Sequence, residues 1–93
     1  MNLSPSTVQL ADLQVEEKEL SLRDTVTSCL HLYFSQLSDH EPEGLYKMFI
    51  EEVERPLLEM VMQYCNGNQT KAARFLGLNR GTLRKKLVFY GLS

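Results

Sequence analysis

"GNQTKAARFLGLNRGTLRKK", residues 67–86, carries six basic side chains, no acidic one, and glycines at 67, 77 and 81. Its punctuation falls where helices begin and end. Asn68 is a good N-cap for a short helix over 69–76, and Gly77 ends that helix. Leu78 is a hydrophobic plug, and Asn79 caps a last helix that reaches Phe89 or Tyr90. Helix, three-residue turn with glycine, helix is the plan of a helix-turn-helix. The apolar spacing agrees. Ala73 is small where the two helices cross, Gly77 follows four positions later, and Leu83 follows six after that to pack under the crossing. Leu83, Leu87 and Tyr90 form one stripe at helical spacing.

That stripe leaves Arg80, Thr82, Arg84, Lys85 and Lys86 pointing outward from several sides. A helix lying in a DNA major groove needs this distribution, because phosphates flank it while base edges lie beneath its first turn. Asn79 and Arg80 open the helix, where side chains reach base edges. Arginine pairs with guanine O6 and N7, and asparagine with adenine or a mixed edge. Arg84 reaches a base or a phosphate, and Lys85 and Lys86 suit phosphates. Asn68, Thr70 and Lys71 begin the preceding helix, whose free backbone N–H groups suit a phosphate, and Arg74 adds a flanking contact. A run such as "RKK" alone is usually a solvated face. Double capping, the Ala73–Gly77–Leu83 spacing and the lack of acids together favour the nucleic-acid reading. Gln69, Arg74 and Thr82 read equally well as plain surface.

Upstream the charge inverts. Residues 66–93 sum to +6, residues 1–65 to −8, and the whole chain to only −2. An acidic body joined to a basic end draws a polyanion to one pole and orients it during approach.

The body reads as two amphipathic helices. Ser21 and Asp24 form an S-x-x-D capping box that opens the first, with Leu22, Val26, Cys29, Leu30, Tyr33, Phe34 and Leu37 as its stripe. "SDHEP" breaks it. The second is expected from Pro42 or Glu43 to Cys65, with proline suited to its first turn. Leu45, Met48, Phe49, Val53, Leu57, Met60, Val61 and Tyr64 recur at helical spacing, opposite Glu51, Glu52, Glu54 and Glu59. Pro56 lies inside this pattern, and because the period resumes after it a kink is expected rather than a stop. Asn66-Gly67 supplies a left-handed end.

Two such helices offer more apolar surface than residues 66–93 can cover. A second copy of the chain is the physical remedy: a symmetric homodimer with four central helices, its core built from Val26, Leu30, Phe34, Leu45, Phe49, Val53, Leu57, Met60 and Val61. The alternative is a monomer whose C-terminal helices fold back over the stripe. Residues 1–20 read as a flexible arm in which Val8-Gln9-Leu10 alternates briefly, enough for a short hairpin strand. The expected organisation is therefore arm (1–20), dimerisation helices (21–65) and helix-turn-helix (66–93).

Composition removes other classes. Ninety-three residues with 43% hydrophobic content describe one small folded domain. No apolar run approaches a membrane span, and the N-terminus has no basic start leading into an apolar block, so neither membrane nor signal peptide is expected. Cys29 and Cys65 form no CxxC motif and suit a reduced, cytoplasmic protein. With His31 and His40 they have no metal-ligand spacing, so no metal or cofactor is expected. No nucleophile, base and orienting group cluster, which argues against an enzyme. Cys65, between body and basic end, reads as a small residue at a helix end more readily than as a redox-sensitive thiol.

"LLEMVMQYCNGNQTKAARFLGLNRGTLRKKL" (57–87), with "LRDTV" (22–26) upstream, closely resembles the Fis family, factors for inversion stimulation of the bacterial nucleoid. The resemblance covers about residues 22–93 and includes the internal proline. The same helix-turn-helix ends the nitrogen-regulator type of activators, which carry large upstream domains not present in these 93 residues. Resemblance to Fis implies an all-α, intertwined dimer with a helix-turn-helix in each subunit. It also implies recognition helices set closer than successive major grooves, so that bound DNA bends. Family specificity is loose: guanines near the site ends and an AT-rich centre read through its narrow minor groove. By motif, Asn79 and Arg80 take base-contact positions, and Asn68, Thr70, Lys71, Thr82, Arg84, Lys85 and Lys86 take backbone-contact positions. Asn66, Val88 and Phe89 stand where the family carries basic residues, which predicts weaker wrapping of flanking DNA. The family's N-terminal hairpin contacts site-specific recombinases, but residues 1–20 match it poorly.

The expectation is a nucleoid-associated homodimer that binds and bends double-stranded DNA and regulates transcription. RNA polymerase or a site-specific recombinase is the further partner. The rival is an interaction module whose basic segment holds an acidic protein.

Overall fold

The computed structural model describes residues 21–93, so the expectations for the arm at 1–20 lie outside the described residues. The described residues form four α-helices and no strand. By packing, the described residues divide into two units, the first ending at 42 and the second spanning 43–93.

In the first unit, α1 spans Leu22–Ser35. Ser21 is its N-cap, with the hydroxyl accepting from the Asp24 backbone N–H at 3.1 Å. The hydroxyls of Thr25 and Thr27 donate back to the carbonyls of Ser21 and Arg23. Local bonds thus define α1, but none of its residues is fully buried. Val26 and Leu30 are half-buried, and Phe34 is exposed. A helix of this length is marginal without a packed face.

In the second unit, α2 spans Leu45–Tyr64 and runs unbroken through Pro56. Its start corrects the expectation of Pro42 or Glu43. Gly44 adopts φ 68°, a left-handed conformation that turns the chain just before Leu45 and leaves Pro42 outside the helix. The end comes where the sequence places it. Asn66 (φ 53°) and Gly67 (φ 80°) are both left-handed, and the Gly67 N–H reaches the Met62 carbonyl at 2.9 Å.

Helix α3 follows at Gln69–Leu76 and α4 at Arg80–Phe89. Gly77 (φ 71°) ends α3, with the Leu78 N–H bonded to the Ala73 carbonyl at 2.9 Å. Leu58, Cys65, Ala72, Ala73, Leu83, Leu87 and Tyr90 form the buried core of this unit, with Val61, Met62, Leu76, Leu78 and Leu92 packed around it.

Two faces of α2 therefore have different fates. Leu58, Val61, Met62 and Cys65 recur at i, i+3, i+4 and i+7 and meet α3 and α4. Val61, expected among the dimer residues, sits with this cluster because it lies one turn from Leu58. Val53, Leu57 and Met60 lie on the neighbouring face and stay open, with Met60 64% exposed. Leu45 and Phe49 are half-buried. In this unit the C-terminal helices do not fold back over the Val53–Leu57–Met60 stripe.

Candidate nucleic-acid interface

The basic surface begins with two caps. Asn68 Oδ1 accepts from the Lys71 N–H at 3.0 Å and fixes the first turn of α3. Asn79 Oδ1 accepts from Gly81 N–H at 2.7 Å and Thr82 N–H at 3.4 Å and fixes the first turn of α4. Each asparagine spends its carbonyl oxygen on the helix and keeps its side-chain N–H groups as donors for a partner. Gly81 belongs to this cap, since a Cβ there would lie 3.1 Å from Asn79 Oδ1.

Leu83 and Leu87 are completely buried and set the rotation of α4 about its own axis. At about 100° per residue, that rotation sends Arg80, Thr82, Arg84 and Lys85 to the outside. All four are exposed, as are Asn68, Thr70, Arg74 and Asn79. Lys71 is half-buried, its ammonium 5.7 Å from the centre of the Phe75 ring. The structure thus gathers nine of the ten expected contact residues on the exposed parts and leading turns of α3 and α4. Residues 66–93 contain no acid to oppose them.

Lys86 is placed differently. Its Nζ lies 2.9 Å from Glu54 Oε2 on α2, and Tyr90 Oη donates to Glu54 Oε1 at 2.7 Å. Arg55 stands 5.5 Å from the centre of the Tyr90 ring. One carboxylate therefore ties both the last turn of α4 and its cap residue to α2. No local pattern in the sequence announces this, since the partners are 32 and 36 positions apart. Leu58 and Cys65 were also missed as core residues, although their i, i+7 spacing with Val61 and Met62 carried a signal.

The tie predicts two pH limits. The Lys86 ammonium, then the Tyr90 hydroxyl, hold the Glu54 carboxyl below its ordinary 4.5. Its contribution to stability is present above the ordinary carboxylate range and is lost as pH falls through the lowered value. Burial, then donation to Glu54, pushes Tyr90 from 10.0 to about 12. A raised tyrosine pKa favours the neutral folded form, so that contribution is complete below pH 10 and disappears as pH rises through about 12. Melting temperature measured against pH is expected to fall on both sides. Tyr90→Phe is expected to flatten the alkaline limb, and an unchanged limb would contradict the assignment.

Asn66, Val88 and Phe89, where the resemblance leads one to expect basic residues, also have structural surroundings. Asn66 holds the left-handed residue that ends α2, a conformation asparagine tolerates better than most residues. Phe89 is 63% exposed while its ring meets Tyr90 edge-on at 4.9 Å. Val88 is equally exposed.

A family model described as "Bacterial regulatory protein, Fis family" matches residues 49–90, the stretch that holds the whole buried core of the second unit. The protein named DNA-binding protein Fis from Haemophilus ducreyi is 49% identical over 96% of this chain and 91% of its own length. The chain belongs to the Fis family. Its counterpart in Sodalis glossinidius is 53% identical over 98% of this chain and 90% of its own. The Fis protein of Pectobacterium carotovorum aligns at 47% identity with 100% of this chain and 95% of its own length. That alignment carries the relationship through residues 1–20, beyond the 22–93 range in which the resemblance was legible. These Fis relatives are named as DNA-binding proteins. No helix among the described residues is long and apolar enough to cross a membrane.

Proposed function

We propose that this chain is a nucleoid-associated regulator in the cytoplasm that binds double-stranded DNA as a homodimer and bends it. The observation that carries the reading is the α3–turn–α4 unit. Buried Leu83 and Leu87 hold α4 in one rotation, and Arg80, Arg84 and Lys85 stand free on its outer surface. The α4 N-terminus enters the major groove, Arg80 pairs with a guanine, and Asn79 offers its remaining side-chain N–H groups to an adjacent base edge. Arg84, Lys85, Thr82, Thr70, Lys71, Asn68 and Arg74 face the backbone on either side. Exposed apolar residues on α1 and α2 support association of two copies, which places two reading heads on one duplex. RNA polymerase or a site-specific recombinase is the further partner by family.

Gel-shift titration against salt tests this with an AT-rich duplex bounded by guanines. Affinity is expected to fall steeply as salt rises, since each neutralised phosphate releases counterions. Arg80→Ala is expected to cost about 1–3 kcal/mol at guanine-bounded sites and flatten the preference for them. Lys85→Ala is expected to weaken all sequences alike. Variants that bind like the parent would overturn the docking. A parent that shifts no duplex at low micromolar dimer points instead to an acidic protein partner.

A further inference from the structure

We infer that Glu54 is a positioning residue for the recognition helix, and that by holding Lys86 it removes that lysine from the phosphate-contact set. The inference rests on the DNA-binding reading above. Three observations carry it. A single carboxylate receives two bonds, from Lys86 at 2.9 Å and from Tyr90 at 2.7 Å. Both donors lie at the C-terminal end of α4, the end away from the base-reading turn. Tyr90 is buried in the core, so its hydroxyl fixes the carboxylate and through it the lysine.

The consequence is geometric and electrostatic together. Leu83 and Leu87 set the rotation of α4 about its axis, but a helix pinned only near its middle can still swing. Glu54 pins the far end to α2. Since α2 also carries the apolar face that supports dimerisation, this bond transmits the dimer's geometry to the reading heads. It also lowers the number of free cations. Of the "RKK" run, Arg84 and Lys85 are exposed, whereas Lys86 is half-buried against a carboxylate that already neutralises it. Lys47, Glu51, Glu52, Arg55 and Lys85 are the other charged groups around the pair; Lys47 pairs with Glu51, and none of the five makes an ion pair with Lys86 or Glu54. A phosphate approaching Lys86 would have to displace Glu54 and leave that carboxylate beside the DNA backbone.

The test is the slope of log affinity against log salt for the full chain on one guanine-bounded duplex. Each phosphate contact contributes about 0.9 to that slope, and both subunits change at once, so losing one contact per subunit lowers it by about two. Lys85→Met is expected to show this loss. Lys86→Met is expected to leave the slope at the parent value. Glu54→Ala is expected to steepen the slope by about two as Lys86 is released, and to relax discrimination between duplexes that differ by one base pair in guanine spacing. A residue with a merely structural role would weaken folding without steepening the slope. Lys86→Met retains the aliphatic stem and serves if Glu54→Ala fails to fold. A Lys86→Met slope lowered as far as that of Lys85→Met overturns the inference and leaves DNA binding standing. A parent with no salt-dependent binding overturns both.

Discussion

Replacing Leu58 with alanine is expected to unfold the helix-turn-helix unit at or near physiological temperature. Leu58 is 1% exposed and is the only residue of α2 proper that the core buries completely. Removing its isobutyl group loses transfer free energy and leaves a cavity in the cluster it shares with Ala72, Ala73, Leu83 and Leu87. Substitutions of this kind cost about 2–5 kcal/mol. Residues 43–93 are a small unit, and at about 0.05–0.15 kcal/mol per residue its total stability is of the same order. Thermal unfolding followed by circular dichroism should show the loss directly, and DNA affinity should fall with it. A melting curve matching the parent's would mean that α2 does not seat the reading head as described.

Much of this unit was legible in the sequence, for a physical reason. Helix caps are local: Asn68, Gly77 and Asn79 each act within a few residues of their own position, so the limits of α3 and α4 followed from reading along the chain. Ser21 is the same kind of signal for α1. Gly44 shows where local reading failed. Pro42 suits a helix start, but the left-handed turn at Gly44 decides where α2 begins, and glycine adopts that turn or a helix with little preference.

Tertiary choices were less legible. α2 carries apolar residues around much of its circumference, and periodicity alone does not say which stripe meets which partner. The Val53–Leu57–Met60 stripe is apolar and open, and its neighbour from Leu58 to Cys65 is the one that the C-terminal helices cover. Lys86 is the equivalent case for charge. In sequence it is one of three consecutive basic residues, and only its position facing α2 separates it from Lys85. The outward set around Arg80 was legible because it follows from a single choice, that Leu83 and Leu87 point inward.

In the homodimer proposed above, Leu57→Asp is expected to separate the two subunits while leaving the core of each reading head intact. Leu57 and Leu58 are adjacent, yet one is 49% exposed and the other 1%. A turn of about 100° per residue puts them on different faces, so one substitution probes association and the other probes folding. With Val53 and Met60, Leu57 makes an open apolar stripe along α2, and α1 contributes a further helix with no fully buried residue. An aspartate in that stripe would be desolvated twice in a symmetric pair, once from each copy, with no basic side chain on the same stripe to pair with it. Sedimentation equilibrium is expected to move from the dimer to the 10.7 kDa species. Linked binding of two heads can raise affinity by about 10²–10⁴ over one, so DNA binding is expected to fall by a factor in that range. The loss should appear on every sequence, unlike that of Arg80→Ala. Helical signal from α1 is expected to fall as well, while the tertiary signature of Tyr90 against Glu54 persists. A Leu57→Asp protein that remains dimeric with parental affinity would place the subunit interface elsewhere. A protein that loses the Tyr90 signature along with the dimer would show that the second unit needs its partner to fold.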